Sequence, residues 1–164
     1  MSILLKEIDE DHLQQIAKIF LDCLQIQYKD ILPDEIRQSF TLSSSIDLWK
    51  KGFDTVPPMQ MLGAFVDGQL TGFTKFGPDS SNPEIGYLAS LYVSPHFGRR
   101  GIGKTLLENA LKQLSRYKVT QLWVFATNEP AINLYETYKF RETGVQQMES
   151  VWGSLQIQMQ LDNS

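Results

Sequence analysis

A glycine-rich turn between an apolar segment and an amphipathic helix is the part of the sequence best suited to chemistry. It comprises Gly98, Arg99, Arg100, Gly101, Ile102, Gly103, Lys104 and Thr105. Glycines let a ligand approach the backbone closely, and the free N–H groups at a helix N-terminus attract anions. Two arginines and a lysine add positive charge at the same place. The turn is therefore predicted to bind a phosphate group.

The same residues also match the Walker A pattern G-x-x-x-x-G-K-[ST] of P-loop nucleotide-binding proteins. In that pattern Lys104 would reach the nucleotide phosphates and Thr105 would bind Mg²⁺. Two features argue against it. Residues 94–97, which include a proline, separate the apolar strand from Gly98, and the later apolar strand VTQLWVFA does not end in an aspartate. An NTPase or kinase is kept as the alternative function.

A second motif lies further along the chain, in the segment NEPAINLYETYKF at residues 128–140. Together with LYVSPHFGRRGIGKTLLENAL at residues 91–111, it resembles the GCN5-related N-acetyltransferases (GNAT), which transfer an acyl group from acyl-CoA to an amine. The first segment is similar to the strand, [QR]-x-x-G-x-[GA] turn and helix that bind the CoA pyrophosphate in that family. The resemblance implies the GNAT fold, a central, mostly antiparallel twisted sheet with helices on both faces, and acetyl-CoA as co-substrate.

The resemblance also assigns cofactor-binding roles to residues of this sequence. The backbone of the strand Leu91, Tyr92 and Val93 is expected to bind the pantetheine arm, with the hydrogen bonds at Leu91 and Val93. The loop amides would hold the pyrophosphate, Asn128 would contact the cofactor arm, and Tyr135 would lie near the CoA sulfur. Asn128 as a plain helix N-cap and Tyr135 as a plain core aromatic are the structural alternatives.

Acyl transfer to an amine requires a neutral amine that attacks the thioester and forms a tetrahedral oxyanion, which then expels a thiolate. A backbone N–H near Leu91 is the implied oxyanion donor. Tyr135 can donate a hydrogen bond or proton to the sulfur, because a phenol has a pKa of about 10 and a thiol about 8.5.

The general base is harder to place. Many relatives have glutamate at the positions of Tyr87 and Ala89, and the nearest carboxylate in this sequence is Glu84. Strand alternation puts Glu84 on the opposite face from those two positions, so a bulge or a water relay would be needed. An exposed, solvated carboxylate without a catalytic role is the alternative for Glu84.

The sequence departs from the family pattern at two further positions. Gly98 stands in place of Gln or Arg, and Lys139 stands in place of the glycine before Phe140. The lysine predicts a different exit from the last helix.

The elements that must position these residues follow from the hydrophobic period. A period of 3.6 residues predicts helices, and a period of two predicts strands. The predicted order is a strand at 2–8, a helix that ends before Pro33, a weakly patterned helical stretch at 34–52 broken by serines, a hairpin at 59–76 turning at Asp67-Gly68, strand 84–93, a helix from Ile102, strand 119–126, a helix from Asn128, and two strands from Phe140. This order describes a mixed α/β sheet with helices on both faces, in a single domain over 1–164.

Composition limits the remaining function classes. A net charge of −4 argues against nucleic-acid binding, which depends on clustered Lys and Arg. One cysteine and two separated histidines predict no disulfide and no metal site. The N-terminus lacks the apolar stretch of a signal peptide, and no segment has the length of a membrane span, so a cytoplasmic location without membrane attachment is expected.

The acceptor is expected to be the primary amine of a small molecule or peptide. The regions expected to select it are residues 28–58 and the stretch QQMESVWGS near the C-terminus. Asp30, Asp34 and Glu35 could attract a cationic amine. Trp152 is expected to be exposed and available for a homodimer contact. A non-catalytic CoA-binding sensor is the second alternative.

Overall fold

A computed structural model describes residues 2–164, which form seven β-strands and five α-helices. The strands are β1 (Leu4–Glu7), β2 (Gln60–Val66), β3 (Gln69–Pro78), β4 (Gly86–Val93), β5 (Val119–Phe125), β6 (Arg141–Met148) and β7 (Leu155–Asp162). The helices are α1 (Leu13–Asp22), α2 (Asp34–Ser39), α3 (Leu42–Gly52), α4 (Ile102–Leu114) and α5 (Glu129–Thr137). A π-helical segment, Cys23–Gln27, continues α1. The predicted order of elements is confirmed.

The strands form one sheet in the order β1-β2-β3-β4-β5-β7-β6. Every neighbouring pair is antiparallel except β4 and β5, which run parallel. A parallel pair needs a crossover connection, and α4 supplies it. The predicted mixed, mostly antiparallel sheet is therefore confirmed.

Each face of the sheet is covered by helices. One core lies under α4 and α5 and contains Leu106, Leu107 and Phe140. The other lies under α1 and α3 and contains Phe20 and Trp49. These side chains are almost completely buried, and each large apolar side chain so buried contributes about 1.5–3 kcal/mol.

The structure confirms the predicted hairpin turn but not the predicted helix break in the serine-rich segment. Asp67 and Gly68 both have positive φ, 50° and 79°, as the predicted I′-type turn requires. The predicted helix break within the serines is wrong. The break lies at Phe40 and Thr41, because Thr41 and Ser44 form a capping box that begins α3.

Two irregularities of β4 create the opening in the sheet. Lys75 of β3 pairs with Ser90, but the next residue, Phe76, pairs with Leu88, so Ala89 is an extra, bulged residue. A bulge bends its strand and increases the local twist. On its other side β4 pairs with β5 only at Gly86 and Tyr87. Beyond these residues the two parallel strands separate.

Candidate functional site

A cavity of about 1180 Å³ occupies the opening between β4 and β5. Its walls include the β4 residues from Tyr87 to Val93 and the β5 residues from Trp123 to Phe125. Leu91 and Leu134 on its wall pack with the core beneath α4 and α5, whereas Tyr28 and Trp152 pack with the core beneath α1 and α3. The cavity can therefore be reached from both faces of the sheet.

The glycine-rich turn lies at one end of this cavity. A 3₁₀ turn at Pro95–Phe97 follows β4, and α4 begins at Ile102. Gly101 precedes the helix in the left-handed conformation, with φ of 78°, and no side chain caps the first N–H groups of α4. Because those N–H groups have no partner within the helix, this end of the cavity can bind an anion.

The predicted residues of the turn divide into two sets. Those on the cavity wall are Gly98, Arg99, Gly101, Ile102, Gly103 and Lys104. Arg100 and Thr105 are not on the wall. The Arg100 guanidinium lies over the Phe97 ring at 5.2 Å, and the Thr105 hydroxyl donates to the Gly101 carbonyl oxygen at 2.7 Å.

The backbone of β4 borders the opening directly. The Ser94 N–H donates to the Thr71 carbonyl oxygen of β3 at 2.8 Å. Backbone groups alternate in direction along a strand, so Leu91 and Val93 point theirs away from β3 and into the opening. The Val93 carbonyl oxygen accepts hydrogen bonds from the Cys23 thiol at 3.2 Å and from Gln27 Nε2 at 3.3 Å. The backbone groups of Tyr92 point toward β3 instead, and its ring packs with the core beneath α1 and α3.

Asn128 and Tyr135 both reach the cavity wall from the far side of the opening. Asn128 also caps α5, since its Oδ1 accepts from the Ala131 N–H at 3.4 Å. Tyr135 is 8% exposed and packs edge-to-face on Phe140, with ring centroids 5.8 Å apart. Burial raises the pKa of Tyr135 to about 12, so the phenol keeps its proton at neutral pH.

Glu84 does not reach the cavity. It is exposed, precedes β4, and its N–H donates to Asn82 Oδ1 at 3.2 Å within a turn. The carboxylates on the cavity wall are instead Asp30 and Glu149. Sequence reasoning identified Asp30 but did not single out Glu149, although it placed the stretch that contains Glu149 in the acceptor region.

Glu149 lies in the loop between β6 and β7. Its Oε1 accepts a hydrogen bond from Gln147 Nε2 at 3.1 Å. It also lies near Tyr87, whose pKa is raised to about 12, first by burial and then by the negative charges of Asp79 and Glu149. Glu149 is thus a charged group close to the β4 position at which relatives are expected to have a glutamate.

Aromatic rings line the face of the cavity beneath α1 and α3. Tyr28 lies 5.7 Å from Phe125 and 6.3 Å from Tyr92, measured between ring centroids. Burial raises the pKa of both tyrosines, so they remain neutral. Trp152 stacks on Phe40, with the two ring centroids 5.8 Å apart, and its side chain is half-buried. The expectation of an exposed Trp152 is therefore wrong, because its ring anchors the β6–β7 loop against this core.

Comparison with known proteins places these features in a family. The model of the acetyltransferase (GNAT) family matches residues 13–140. The chain is 26% identical over 143 residues to the N-acetyltransferase YuaI of Bacillus subtilis, across 83% of this chain and 79% of the relative. It is 38% identical over 74 residues to the peptidyl-lysine N-acetyltransferase YiaC of Escherichia coli, an alignment that spans 45% of this chain and 44% of the relative.

A solved structure shares the whole fold. The PaiA N-acetyltransferase of Thermoplasma acidophilum, solved in complex with coenzyme A, superposes with a TM-score of 0.76 at 21% identity. The match covers 96% of this chain and 98% of the PaiA chain. The Walker A alternative is overturned by the family match, and the sheet agrees, because β4 and β5 are the one parallel pair within residues 2–164.

Residues 2–164 contain neither a candidate metal site nor a candidate membrane span. Between residues 2 and 164, no three His, Cys, Asp or Glu side chains come close enough together to hold a metal ion. None of the helices described there has the length and apolar character needed to cross a membrane.

Proposed function

The chain belongs to the acetyltransferase (GNAT) family, and from this premise we propose that it transfers an acetyl group from acetyl-CoA to the primary amine of a small molecule or peptide. The observation that carries the proposal is the opening between β4 and β5, which ends on the unpartnered N–H groups of α4. A cavity open to both faces lets the acetyl donor enter from one side and the amine from the other.

The acetyl-CoA co-substrate fits the residues at the α4 end of the cavity. Its pyrophosphate would lie against Gly101 and Gly103, where no side chain blocks the N–H groups, with Arg99 and Lys104 as counter-charges. Its pantetheine arm would lie along the opening and bond to the backbone of Leu91 and Val93. Asn128 would contact the arm from the start of α5. Its Oδ1 caps the helix, and its Nδ2 can still donate a hydrogen bond to the arm.

The transfer step needs an oxyanion donor and a hydrogen-bond donor for the sulfur. The Leu91 N–H, held by β4 toward the opening, would donate to the developing oxyanion. Tyr135 would donate to the departing sulfur. A phenol with a pKa of about 12 keeps its proton beside a thiolate whose conjugate acid has a pKa of about 8.5, so Tyr135 acts by hydrogen bonding.

A base must remove a proton from the incoming ammonium. Glu84 would act only through a chain of waters, because it lies outside the cavity. Glu149 lies on the cavity wall near Tyr87, and we therefore propose Glu149 as the base that accepts the proton. The name of YiaC supports an amine in a peptide as one kind of acceptor.

The proposal is tested by thermal unfolding with acetyl-CoA and, separately, with Mg-ATP. A ligand at about 100 times its Kd adds about 2.7 kcal/mol to the free energy of unfolding. We expect stabilisation by acetyl-CoA, followed by thiol release and an acetylated product when amines are added. Stabilisation by Mg-ATP alone would overturn the proposal. Stabilisation by acetyl-CoA with no product from any amine would favour a CoA-binding sensor instead.

A further inference from the structure

Lys75 is a buried cation on the wall of the cavity. It lies in the middle of β3 and is 8% exposed. Residues two apart on a strand share a face, so Lys75 lies on the same face as Phe73, beneath α1 and α3. Its cross-strand partner in β4 is Ser90, which also lines the cavity. Lys75 therefore borders the part of the cavity that the proposed function gives to the amine.

The Lys75 ammonium is only partly paired by the protein. Within residues 2–164 its one hydrogen-bond acceptor is the Gly52 carbonyl oxygen, 2.6 Å away at the end of α3. None of the ion pairs formed by the described residues includes Lys75. The C-terminus of a helix favours a cation, but this carbonyl uses one of the three donors of an ammonium. Burial lowers the pKa of Lys75 accordingly.

The groups beside Lys75 add further donors. The Ser90 hydroxyl forms no hydrogen bond within the described chain, although the Ser90 carbonyl oxygen accepts one from Thr74. Trp49, which lies on α3 next to Gly52 and also lines the cavity, has a buried indole N–H without an acceptor. The cavity carboxylates, Asp30 and Glu149, form no ion pair with Lys75. This wall thus offers donors and a positive charge but no negative charge.

We propose that Lys75 binds a carboxylate of the acceptor, so that the preferred substrate carries both an amine and a carboxylate. This inference rests on the proposed function and names its substrate class. A buried charge without a full set of partners is costly, and an arriving carboxylate would supply the missing partners. Ser90 would donate a second hydrogen bond to the same carboxylate.

The test compares matched acceptors with the purified chain and acetyl-CoA. One series consists of free amino acids and their carboxamides, and the other of short peptides with a C-terminal acid or a C-terminal amide. Hydrogen bonds to charged groups are stronger than those between neutral groups, so we expect kcat/KM to favour the acid by about tenfold or more. The series with the larger preference identifies the source of the carboxylate, either a free amino acid or a peptide.

Substitution of Lys75 separates recognition from a purely structural role. Lys75→Met is expected to reduce the acid-to-amide preference to about one, chiefly through KM of the acid, and to leave KM of acetyl-CoA unchanged. Lys75→Arg retains the charge and is expected to restore part of the preference. The matched control is Lys51→Met, because Lys51 is exposed on the last turn of α3 and does not line the cavity.

Lys75 also bonds to the end of α3, so its loss can lower stability. A purely structural role would slow the acids and the amides equally, and that result would overturn the inference. If Lys75→Met does not fold, competition on the wild-type chain decides. Simple alkyl carboxylates that lack an amine should inhibit competitively with the acceptor, whereas the matching alkyl amides should not.

The remaining outcomes distinguish the two proposals. Efficient acetylation of amides and simple amines with no preference for acids overturns the role of Lys75 and leaves acetyl transfer intact. The absence of transfer to every acceptor overturns the proposed function and this inference with it. Acetylation of Lys75 itself, detected by mass spectrometry, also overturns the inference, since an amide carries no charge.

Discussion

Tyr87 of β4 pairs with Gln121 of β5, and in the part of the chain that the structure describes no later residue of β4 pairs with β5. Two residues further along, Ala89 forms the bulge that turns β4. The two features act together, because a strand that loses its parallel neighbour and bends within a few residues leaves an opening through the sheet. The cavity depends on this opening, and each wall contributes different residues to the proposed site.

Gly101 offers a direct test of the anion site. Its φ of 78° is unfavourable for any residue with a Cβ, and a Cβ there would meet no atom within 4 Å. Gly101→Ala is therefore expected to lower the free energy of unfolding by about 1–2 kcal/mol through backbone strain and to weaken acetyl-CoA binding at least severalfold. Urea unfolding and calorimetric titration measure the two effects.

The matched control is Gly68→Ala in the β2–β3 hairpin. Gly68 has a φ of 79° and equally open surroundings, so the cost in stability should be similar. Its affinity for acetyl-CoA should equal that of the wild type. Equal affinity of both variants would show that the turn before α4 does not bind the co-substrate.

Tyr135→Phe tests the hydrogen bond to the sulfur. The variant retains the ring that packs on Phe140 and loses only the hydroxyl. We expect the turnover to fall by about tenfold or more with little change in CoA affinity, because the bond forms as the thiolate departs. Tyr138→Phe, one turn away with its hydroxyl bonded to Glu108, is the control. Unchanged turnover in Tyr135→Phe would remove the proposed role.

Glu149→Gln tests the base. Removal of the carboxylate is expected to lower kcat by about 10²-fold, because a carboxamide cannot accept the proton of the incoming ammonium. Glu84→Gln is expected to have a much smaller effect, because Glu84 lies outside the cavity. The exposed Glu142 in β6 provides a control for the loss of one negative charge. A larger loss in Glu84→Gln than in Glu149→Gln would restore the base predicted from the sequence.

The alkaline limit of stability is expected to depend on buried tyrosines. Below pH 10 Tyr135 is protonated in both the folded and the unfolded chain, so its contribution is fully present. Between pH 10 and 12 only the unfolded chain ionises, and stability falls as the pH rises. At pH 11 the ionisation of this single group in the unfolded chain lowers the free energy of unfolding by about 1 kcal/mol. Urea unfolding at pH 8 and 11 should show a smaller loss in Tyr135→Phe than in the wild type.

The sequence predicted the parts of the site that depend on local pattern. Gly101 and Lys104 were identifiable because a glycine-rich turn must follow β4 and begin α4. The hairpin turn at Asp67 followed from its residue types in the same way. These features involve neighbours in the chain, so their physical causes are visible in a single segment.

Other parts of the site depend on contacts between distant segments. No local feature of the sequence predicts the bulge at Ala89. Without knowledge of the bulge, the sequence does not show that Ser90 and Lys75 lie on the same face of the sheet. Glu149 reaches the cavity because Trp152 anchors its loop against Phe40, more than a hundred residues earlier in the chain. No period or motif in the sequence shows such a contact, and for this reason the sequence alone indicates Glu84, the carboxylate nearest to β4 along the chain, as the base.

Lys139 provides a last test. The different helix exit that the sequence predicts at the end of α5 is not observed. The sequence has lysine where the family resemblance predicts glycine, and this difference predicts a different exit from the helix. Instead Lys139 adopts the left-handed conformation, with φ of 74°, while the N–H of Phe140 donates to the Tyr135 carbonyl oxygen at 3.1 Å. The exit is thus the one that glycine favours, at a cost of about 1–2 kcal/mol for a side chain with a Cβ.

Lys139→Gly is therefore expected to raise the free energy of unfolding by about 1 kcal/mol without altering turnover. Lys112→Gly, at an exposed position inside α4, should lower it by a similar amount, because glycine within a helix is unfavourable. If Lys139→Gly lowers the free energy of unfolding in urea titrations, the side chain of Lys139 stabilises the turn by more than its backbone strain costs, and Tyr135 then depends on that side chain for its position.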